Sequence, residues 1–395
     1  MEFLEEMEYV GDIPEGWKWV KLGDIADIKM GQSPESKYYN DKGIGLPFLQ
    51  GSKTFGYKYP EVEIYCSNPI KVAKKGEILI SVRAPVGDIN IASQDICIGR
   101  GIASINSLFN QNEFLFYYLK HSKNDLLASE AGTVFGSINK ETLYNFPILL
   151  PPLPEQKAIA DVLSSIDDKI ELLHRQNKTL EEMAMTLFKQ WFIEPTKDGL
   201  PEGWEEVSLG DSDLSKIIPS GIKKFEGFKT YLATGDVEGT LIKGGVEITY
   251  NNRPSRANMQ PEKYSVWFAK KEGVRKLLMF DDYSNTDKYI LSTGFTGLKT
   301  NELSHYYIWC FILSEDFQDI KDSLVSGSVQ PDIPNEAVLQ IFIPRPPNEV
   351  LLSFNEKVKP LFTKIQFNNS QIQTLEKLRD TLLPKLINGE IRVKI

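Results

Sequence analysis

Residues 163–187, LSSIDDKIELLHRQNKTLEEMAMTL, and residues 358–382, VKPLFTKIQFNNSQIQTLEKLRDTL, decide the fold. In the first, Leu163, Ile166, Ile170, Leu173, Asn177, Leu180, Ala184 and Leu187 recur in steps of three and four. That spacing is the seam of a helix packed lengthwise on another helix. Val358, Leu361, Ile365, Asn368, Ile372, Leu375, Arg379 and Leu382 repeat it. Each seam holds one interior asparagine. Let the helices run antiparallel with Asn177 facing Asn368. Then Leu163 meets Leu382, Ile170 meets Leu375, Leu173 meets Ile372, Leu180 meets Ile365, Ala184 meets Leu361 and Leu187 meets Val358. Only Ile166 meets a polar residue, Arg379, whose stem is expected to cover apolar surface while its head reaches water. A buried amide layer costs stability but sets register, because any slip leaves each amide facing hydrocarbon. The alternative is that each helix packs on its own globular half, with both asparagines solvated.

Working outward, the chain is written twice. Pro14-Glu15-Gly16-Trp17 returns as Pro201-Glu202-Gly203-Trp204, and Leu22-Gly23-Asp24 as Leu209-Gly210-Asp211. Tyr117-Tyr118 returns as Tyr306-Tyr307, Pro151-Pro152 as Pro346-Pro347, and Thr179-Leu180-Glu181 as Thr374-Leu375-Glu376. The matches keep their order, and their separation only grows along the chain, as small insertions would make it. Within each half, 62–65, 77–82, 246–250 and 265–269 read as strands, and 112–127 and 302–324 as helices. The prolines at 151, 152 and 154, and at 344, 346 and 347, close the two halves. The expected division is an acidic tail (1–13), a first domain (14–152), a first long helix (153–195), a second domain (196–346), and a second long helix with a tail (347–395). The fold class is α+β (mixed α/β), with two pseudo-two-fold-related domains separated by an antiparallel two-helix coiled coil. Residues 163–187 would form a helix of about 37 Å. One turn of B-DNA is about 34–36 Å, so two readers one turn apart are expected within one chain.

Composition narrows the chemistry. With 395 residues, 41% hydrophobic and 25% charged, the chain is long and apolar enough for several cores. Cys66, Cys97 and Cys310 are far apart in sequence, and so are His121, His174 and His305, which excludes a disulfide scaffold, a zinc ribbon and HExxH-type sites. The acidic start, MEFLEEMEYV, does not read as a signal peptide, and no apolar run approaches a membrane span, so a soluble protein of a reducing compartment is expected. Gly51-Ser52-Lys53-Thr54 lacks the upstream glycine of a phosphate-binding loop, and Pro331-Asp332 has no following Glu-x-Lys. Asp281-Asp282 reads as a solvated turn rather than a metal site. No motif of a methyl-donor or target-adenine site appears, so the chain is read as non-catalytic.

The segments 14–34 (PEGWKWVKLGDIADIKMGQSP), 79–92 (LISVRAPVGDINIA) and 149–192 (LLPPLPEQKAIADVLSSIDDKIELLHRQNKTLEEMAMTLFKQWF) carry a clear resemblance. With LPEGW, SGSVQPDIP, FIPRPP and TLEKLRDTLLPKLINGEIRV in the second half, the chain resembles the specificity subunit of type I restriction–modification systems. One departure is that 348–353 lacks the Pro-Glu-Gln that follows the first proline edge. The resemblance implies two target-recognition domains, each reading half of a split double-stranded DNA sequence. It also implies helices that set the spacing and dock two methyltransferase subunits, with motor-nuclease subunits joining for cleavage. No cofactor is implied in this chain: S-adenosylmethionine belongs to the methyltransferase partners and ATP to the motor-nuclease. The implied location is the prokaryotic cytoplasm, at the nucleoid.

The net charge of −9 argues against a simple nucleic-acid binder. Yet seven basic residues lie between Arg253 and Lys276 against two acidic ones, and Lys71, Lys74 and Lys75 precede a strand, whereas 155–187 carries seven acids against four bases. Acid is spent on the spacer. Arginines in turns suit bidentate pairing with guanine: Arg83, Arg100, Arg253 and Arg256, with Ser255 between the last two. For each, a surface salt bridge is the alternative. Thr133, Ser137 and Asn139 in GTVFGSIN, and Ser328 and Gln330 in GSVQPD, hold equivalent places and suit groove or phosphate contact. Lys37, Lys53, Lys223 and Lys224 are phosphate candidates. Trp17 and Trp204 read as core anchors. A different class stays open: a scaffold that joins partner subunits without reading bases. A stand-alone methyltransferase and a homodimeric regulator are weaker alternatives.

Replacing Asn177 alone with leucine is expected to loosen or shift the helix register. Spin-label distances along the two helices that stay unchanged in this variant would refute the pairing role of the amide.

Overall fold

A computed structural model describes residues 13–128, 137–324 and 332–394. The chain forms two compact units. Residues up to His174 pack with those from Ser370 onward, and Arg175–Asn369 make the second unit. The long helices Leu153–Phe188 and Asn348–Ile387 therefore each contribute to both.

Each unit is built on the same pair of sheets. In the first, strands Ala26–Met30, Ile78–Ser81, Ile89–Ile91 and Ile102–Ser107 form an antiparallel sheet in the spatial order first, fourth, second, third. In the second, Ser215–Ile217, Ser265–Ala269, Leu277–Phe280 and Phe295–Thr300 take the same order. Beside each lies a second sheet of mostly shorter strands, the small sheet, built around one parallel pair: Leu46–Leu49 with Ile96–Ile98, and Lys229–Leu232 with Tyr289–Ser292. Its edge strand next to the later member is Val72–Ala73 in one unit and Ala257–Met259 in the other. The repeat in sequence is thus a repeat in topology. The strands depart from the apolar runs: of 62–65 only Tyr65 pairs, in a strand Tyr65–Cys66, and of 246–250 only Val246–Ile248, while Ser265–Ala269 pairs throughout.

Helices Asn112–His121 and His305–Leu313 fill the cores. Phe114–Leu119 and all of His305–Leu313 are buried, so neither shows the one-sided pattern of a surface helix. The single helices expected over 112–127 and 302–324 are each two. Lys123–Ala128 follows a break at Ser122, and Glu315–Ser323 starts anew because the Ser314 hydroxyl caps the amide of Phe317 at 3.2 Å.

The short ribbons Lys18–Lys21 with Pro147–Leu150, and Glu205–Ser208 with Phe342–Arg345, bring the start of each half to the foot of the long helix that follows it. In the first unit this seats Trp17 on Glu155: the indole donates to the buried carboxylate at 3.0 Å, and Arg392 grips the same carboxylate at 2.9 and 2.7 Å. The Arg392 guanidinium first, and then the indole, hold this carboxyl below the usual range against its burial.

Within the first unit Leu163 packs with Leu383, Leu386 and Ile387, while Ile170 and Leu173 pack with Ile372, so the helices run antiparallel. Within the second, Ala184, Leu187 and Phe188 pack with Phe354, Val358 and Leu361. The Asn177 carbonyl accepts from the amide of fully buried Asn368 at 2.8 Å, and the Asn177 amide donates to Asn369 at 2.7 Å.

Two expectations are corrected. The Arg379 head does not reach water. It is 9% exposed and bonds Asp167, which is fully buried, at 3.1 Å, and also the Tyr57 hydroxyl. The reason is that Tyr57 and Lys120 of the globular part cover this stretch of helix; the Tyr57 hydroxyl donates to Asp167 at 2.6 Å and Lys120 stands 3.6 Å away. Burial alone would raise the Asp167 pKa, but Lys120, the Tyr57 hydroxyl and Arg379 outweigh it and hold the carboxyl below its ordinary value. The Asp281-Asp282 turn is solvated only in part: Asp282 is exposed, but Asp281 is not. Asp281 is 1% exposed and accepts from Gln366 at 2.9 Å, and Asp282 pairs with Lys263 at 2.6 Å and Lys359 at 3.2 Å. Gln366 and Lys359 lie on the second long helix, so this turn ties the sheet end to that helix. Among the described residues no cluster suited to a metal ion occurs.

Arg379→Met leaves Asp167 with less compensation in a dry site and is expected to cost about 3 kcal/mol in urea unfolding. Adding Asp167→Leu is expected to recover most of that loss. A single variant as stable as the parent would show that the ion pair does not hold the two helices together.

Candidate nucleic-acid interface

In the first unit, three chain segments cross with almost no room between them. The amide of Gly31 donates to Ile102 O at 2.9 Å and that of Gln32 to Ile98 O at 3.0 Å. A Cβ at Gly31 would lie 2.2 Å from the Gly99 oxygen, and one at Gly101 would lie 2.3 Å from the Gln50 oxygen. Only glycine permits this crossing. The bracketing glycines project Arg100 outward; its amide donates to Ser33 Oγ at 3.2 Å, and Ser33 in turn donates to Gln50 at 2.9 Å. Arg100 then lines a cleft of about 660 Å³ with Asp27, Lys29, Gln32, Lys71 and Lys140. Four cations face one acid. Lys29 is partly spent, donating to Val72 O at 2.8 Å and standing 3.6 Å from Glu77, while Lys71, Arg100 and Lys140 are exposed.

Further candidates join the same edge. The amide of Val82 donates to Gly101 O at 2.8 Å and that of Ile138 to Val82 O at 3.0 Å, and Arg83 bridges Ser137 through the backbone. Arg83, Arg100, Ser137, Asn139 and Lys140 therefore lie along one rim, on residues far apart in sequence. Asn139 is also structural, since its side-chain oxygen caps helix Lys140–Asn145 by accepting from the Thr142 amide at 2.9 Å. Lys37 pairs with Glu35 at 2.7 Å, and Lys53 stands 3.9 Å from Glu63, so both are engaged with acids of nearby loops. Thr133, Ser328 and Gln330 lie outside the described residues.

The second unit repeats the rim. The amide of Lys270 donates to Gly294 O, that of Ile333 donates to Lys270 O, and Lys271 bridges Asp332. Gly294 therefore stands for Gly101, Lys270 for Val82, Lys271 for Arg83 and Asp332 for Ser137. Lys71 and Arg256 likewise each precede the edge strand of the small sheet. The turn at 249–256 and the loop at 221–228 meet through the rings of Phe225 and Tyr250, 5.8 Å apart and nearly perpendicular. Lys223, Lys224, Ser255 and Arg256 are exposed there. Arg253 is not a free reader in this conformation: its guanidinium stacks on the Tyr250 ring at 4.0 Å and donates to the Tyr250 carbonyl. Sequence reasoning passed over Lys140, Lys270 and Lys271 as site residues, because only the backbone pairing puts them on the rim.

Such an arrangement offers exposed ammonium and guanidinium groups on a rigid, glycine-bound edge, which suits phosphate neutralisation and base-edge contact. The family model of the type I restriction modification DNA specificity domain matches residues 14–182. A specificity subunit of the type I restriction enzyme MjaIX from Methanocaldococcus jannaschii is 30% identical over 441 aligned residues, covering 100% of this chain and 99% of that one. A second chain from that organism, carrying the name MjaX specificity subunit, is 48% identical over 177 residues, spanning 44% of this chain and 42% of the relative. The crystal structure of an S subunit of a type I restriction-modification system from M. genitalium, 18% identical, covers 95% of this chain and 97% of its own with a TM-score of 0.61, a likeness of fold.

Lys71→Ala and Lys140→Ala are each expected to weaken binding to all duplexes alike and to reduce the slope of log K against log salt by about 1. Salt titrations with slopes equal to the parent's would remove these lysines from the interface.

Proposed function

Because the chain belongs to the family of type I restriction enzyme specificity subunits, we propose that each unit reads one half of an asymmetric, bipartite DNA target while the paired long helices set the spacing and dock the methyltransferase subunits. The observation that carries this reading is the rim built twice on one topology with different side chains. Arg83 answers to Lys271, Ser137 to Asp332 and Lys71 to Arg256. Equivalent backbones with unequal donors and acceptors suit two different half-sequences, not a palindrome. The methyl transfer then belongs to the partners, which would hold S-adenosylmethionine, and ATP belongs to a motor-nuclease subunit. The setting is the cytoplasm; no helix among the described residues is long and apolar enough to cross a membrane.

The long helices support two docking places. Leu172 (41% exposed) and Phe367 (57%) hold equivalent positions in the two copies, seven residues before Thr179 and Thr374, and Met183 (50%) and Leu378 (47%) form a second such pair. The first unit thus shows Leu172 with Leu378, and the second Met183 with Phe367. Large apolar side chains left in water at matching places suit two copies of one partner. Asn177 with Asn368 is the layer that holds the helix register in this reading.

Selection from randomised duplexes, using this chain with the methyltransferase subunit of its system, is expected to return two unlike half-sequences separated by a fixed unread spacer. Recovery of random sequence would favour the scaffold reading. Phe367→Glu is expected to lower bound methyltransferase from two copies to one in native mass spectrometry, and Leu172→Glu added to it should remove the second.

A further inference from the structure

The two rims differ most at one spot. In the first unit, Arg100 stands immediately before Gly101, in the turn between the last strand of the small sheet and the last strand of the large one. The equivalent turn of the second unit has Thr293 before Gly294, and no cation. Its guanidinium comes from the neighbouring chain segment instead. A Cβ placed on Gly294 would lie 3.2 Å from Arg256 Nη2, so the Arg256 head lies over this turn. The Arg256 carbonyl accepts from the Thr293 amide at 2.9 Å, which fixes the segment there. In the first unit that neighbouring position is Lys71, whose carbonyl accepts from the Ile98 amide at 2.9 Å. Each unit therefore has one guanidinium at this turn, borne by the turn itself in the first unit and by the neighbouring segment in the second.

We infer that this turn is the guanine-reading position of each unit: Arg100 contacts a guanine in one half-site, and Arg256 contacts a guanine at the corresponding place of the other. This rests on the DNA-reading function proposed above. A guanidinium presents two parallel donors that match guanine O6 and N7, whereas a lysine ammonium serves as well on phosphate. Retaining one guanidinium per turn while its source changes is understood if its hydrogen-bonding geometry, and not merely its charge, is used there. The other arginines are placed differently: Arg253 is stacked on Tyr250, and in the second unit the place of Arg83 is held by Lys271.

The test is selection from randomised duplexes by the full chain with its methyltransferase subunit, comparing the parent with Arg100→Gln, Arg256→Gln and the exchange variant Thr293→Arg with Arg256→Lys. Glutamine pairs bidentately with adenine. The parent motif is expected to hold a guanine in each half. Arg100→Gln should cut preference for one of them on the order of 10- to 100-fold, with adenine gaining at that position only. Arg256→Gln should do the same in the other half alone, and the exchange variant should retain guanine there. Thermal melting checks that each variant is folded. Both guanines surviving in both glutamine variants, or a parent motif lacking guanine in either half, would overturn the inference while leaving the DNA-reading function in place. A parent that selects no sequence would overturn both.

Discussion

Two helices in apolar contact slide easily unless something penalises sliding, and within each unit a polar layer does so. The amide of Asn368 is fully buried and bonds Asn177, while Arg379 and Asp167 form an ion pair between the helices with both groups almost removed from water. Shifting the helices by one seam repeat would leave these groups facing leucine and isoleucine, each at the desolvation cost of an unpaired polar group. The sheets are bound to that register in turn. Lys58 of the first globular part is 1% exposed and bonds Asp168 on the helix at 2.7 Å, and Asp281 of the second accepts from Gln366. Within each unit the long helices and the globular part are therefore held by one set of buried polar contacts.

The rims obey a second constraint, that of close backbone approach. Gly31, Gly99 and Gly101 lie where segments from three parts of the first unit cross, and Arg100 is aimed outward because its neighbours have no side chains to move aside. This gives a stiff edge bearing long cationic side chains, so the entropy lost on binding falls on the side chains rather than on a loop. An overall acidic chain can present such an edge because its excess of acid lies elsewhere, including along the first long helix.

Much of the architecture was legible in sequence because it rests on local periodicity. Seam residues recur at helical spacing, and the duplicated Glu-Gly-Trp and Leu-Gly-Asp blocks mark equivalent points. The site was legible in part. Arg83, Arg100, Ser137, Asn139 and Arg256 were identifiable from residue type and turn context, and they do lie on the rims. Lys140, Lys270 and Lys271 were not, because a lysine beside a strand or at a helix start looks like any solvated lysine. The environment of Arg379 was misread for a related reason: a helix pattern shows which face meets its partner helix, but not which face loops and helices of the globular part will cover.

By itself, the sequence determined the duplication, the antiparallel sense of the long helices and the amide layer between them, since each depends on spacing along a chain whose helical geometry is known beforehand. Tertiary structure alone decided which charges are dry, which arginines are spent on their own neighbours, and that Arg256 reaches the turn equivalent to the one that bears Arg100. Those outcomes depend on approaches between residues distant in sequence, where a shift of a few ångströms changes a solvated charge into a buried one.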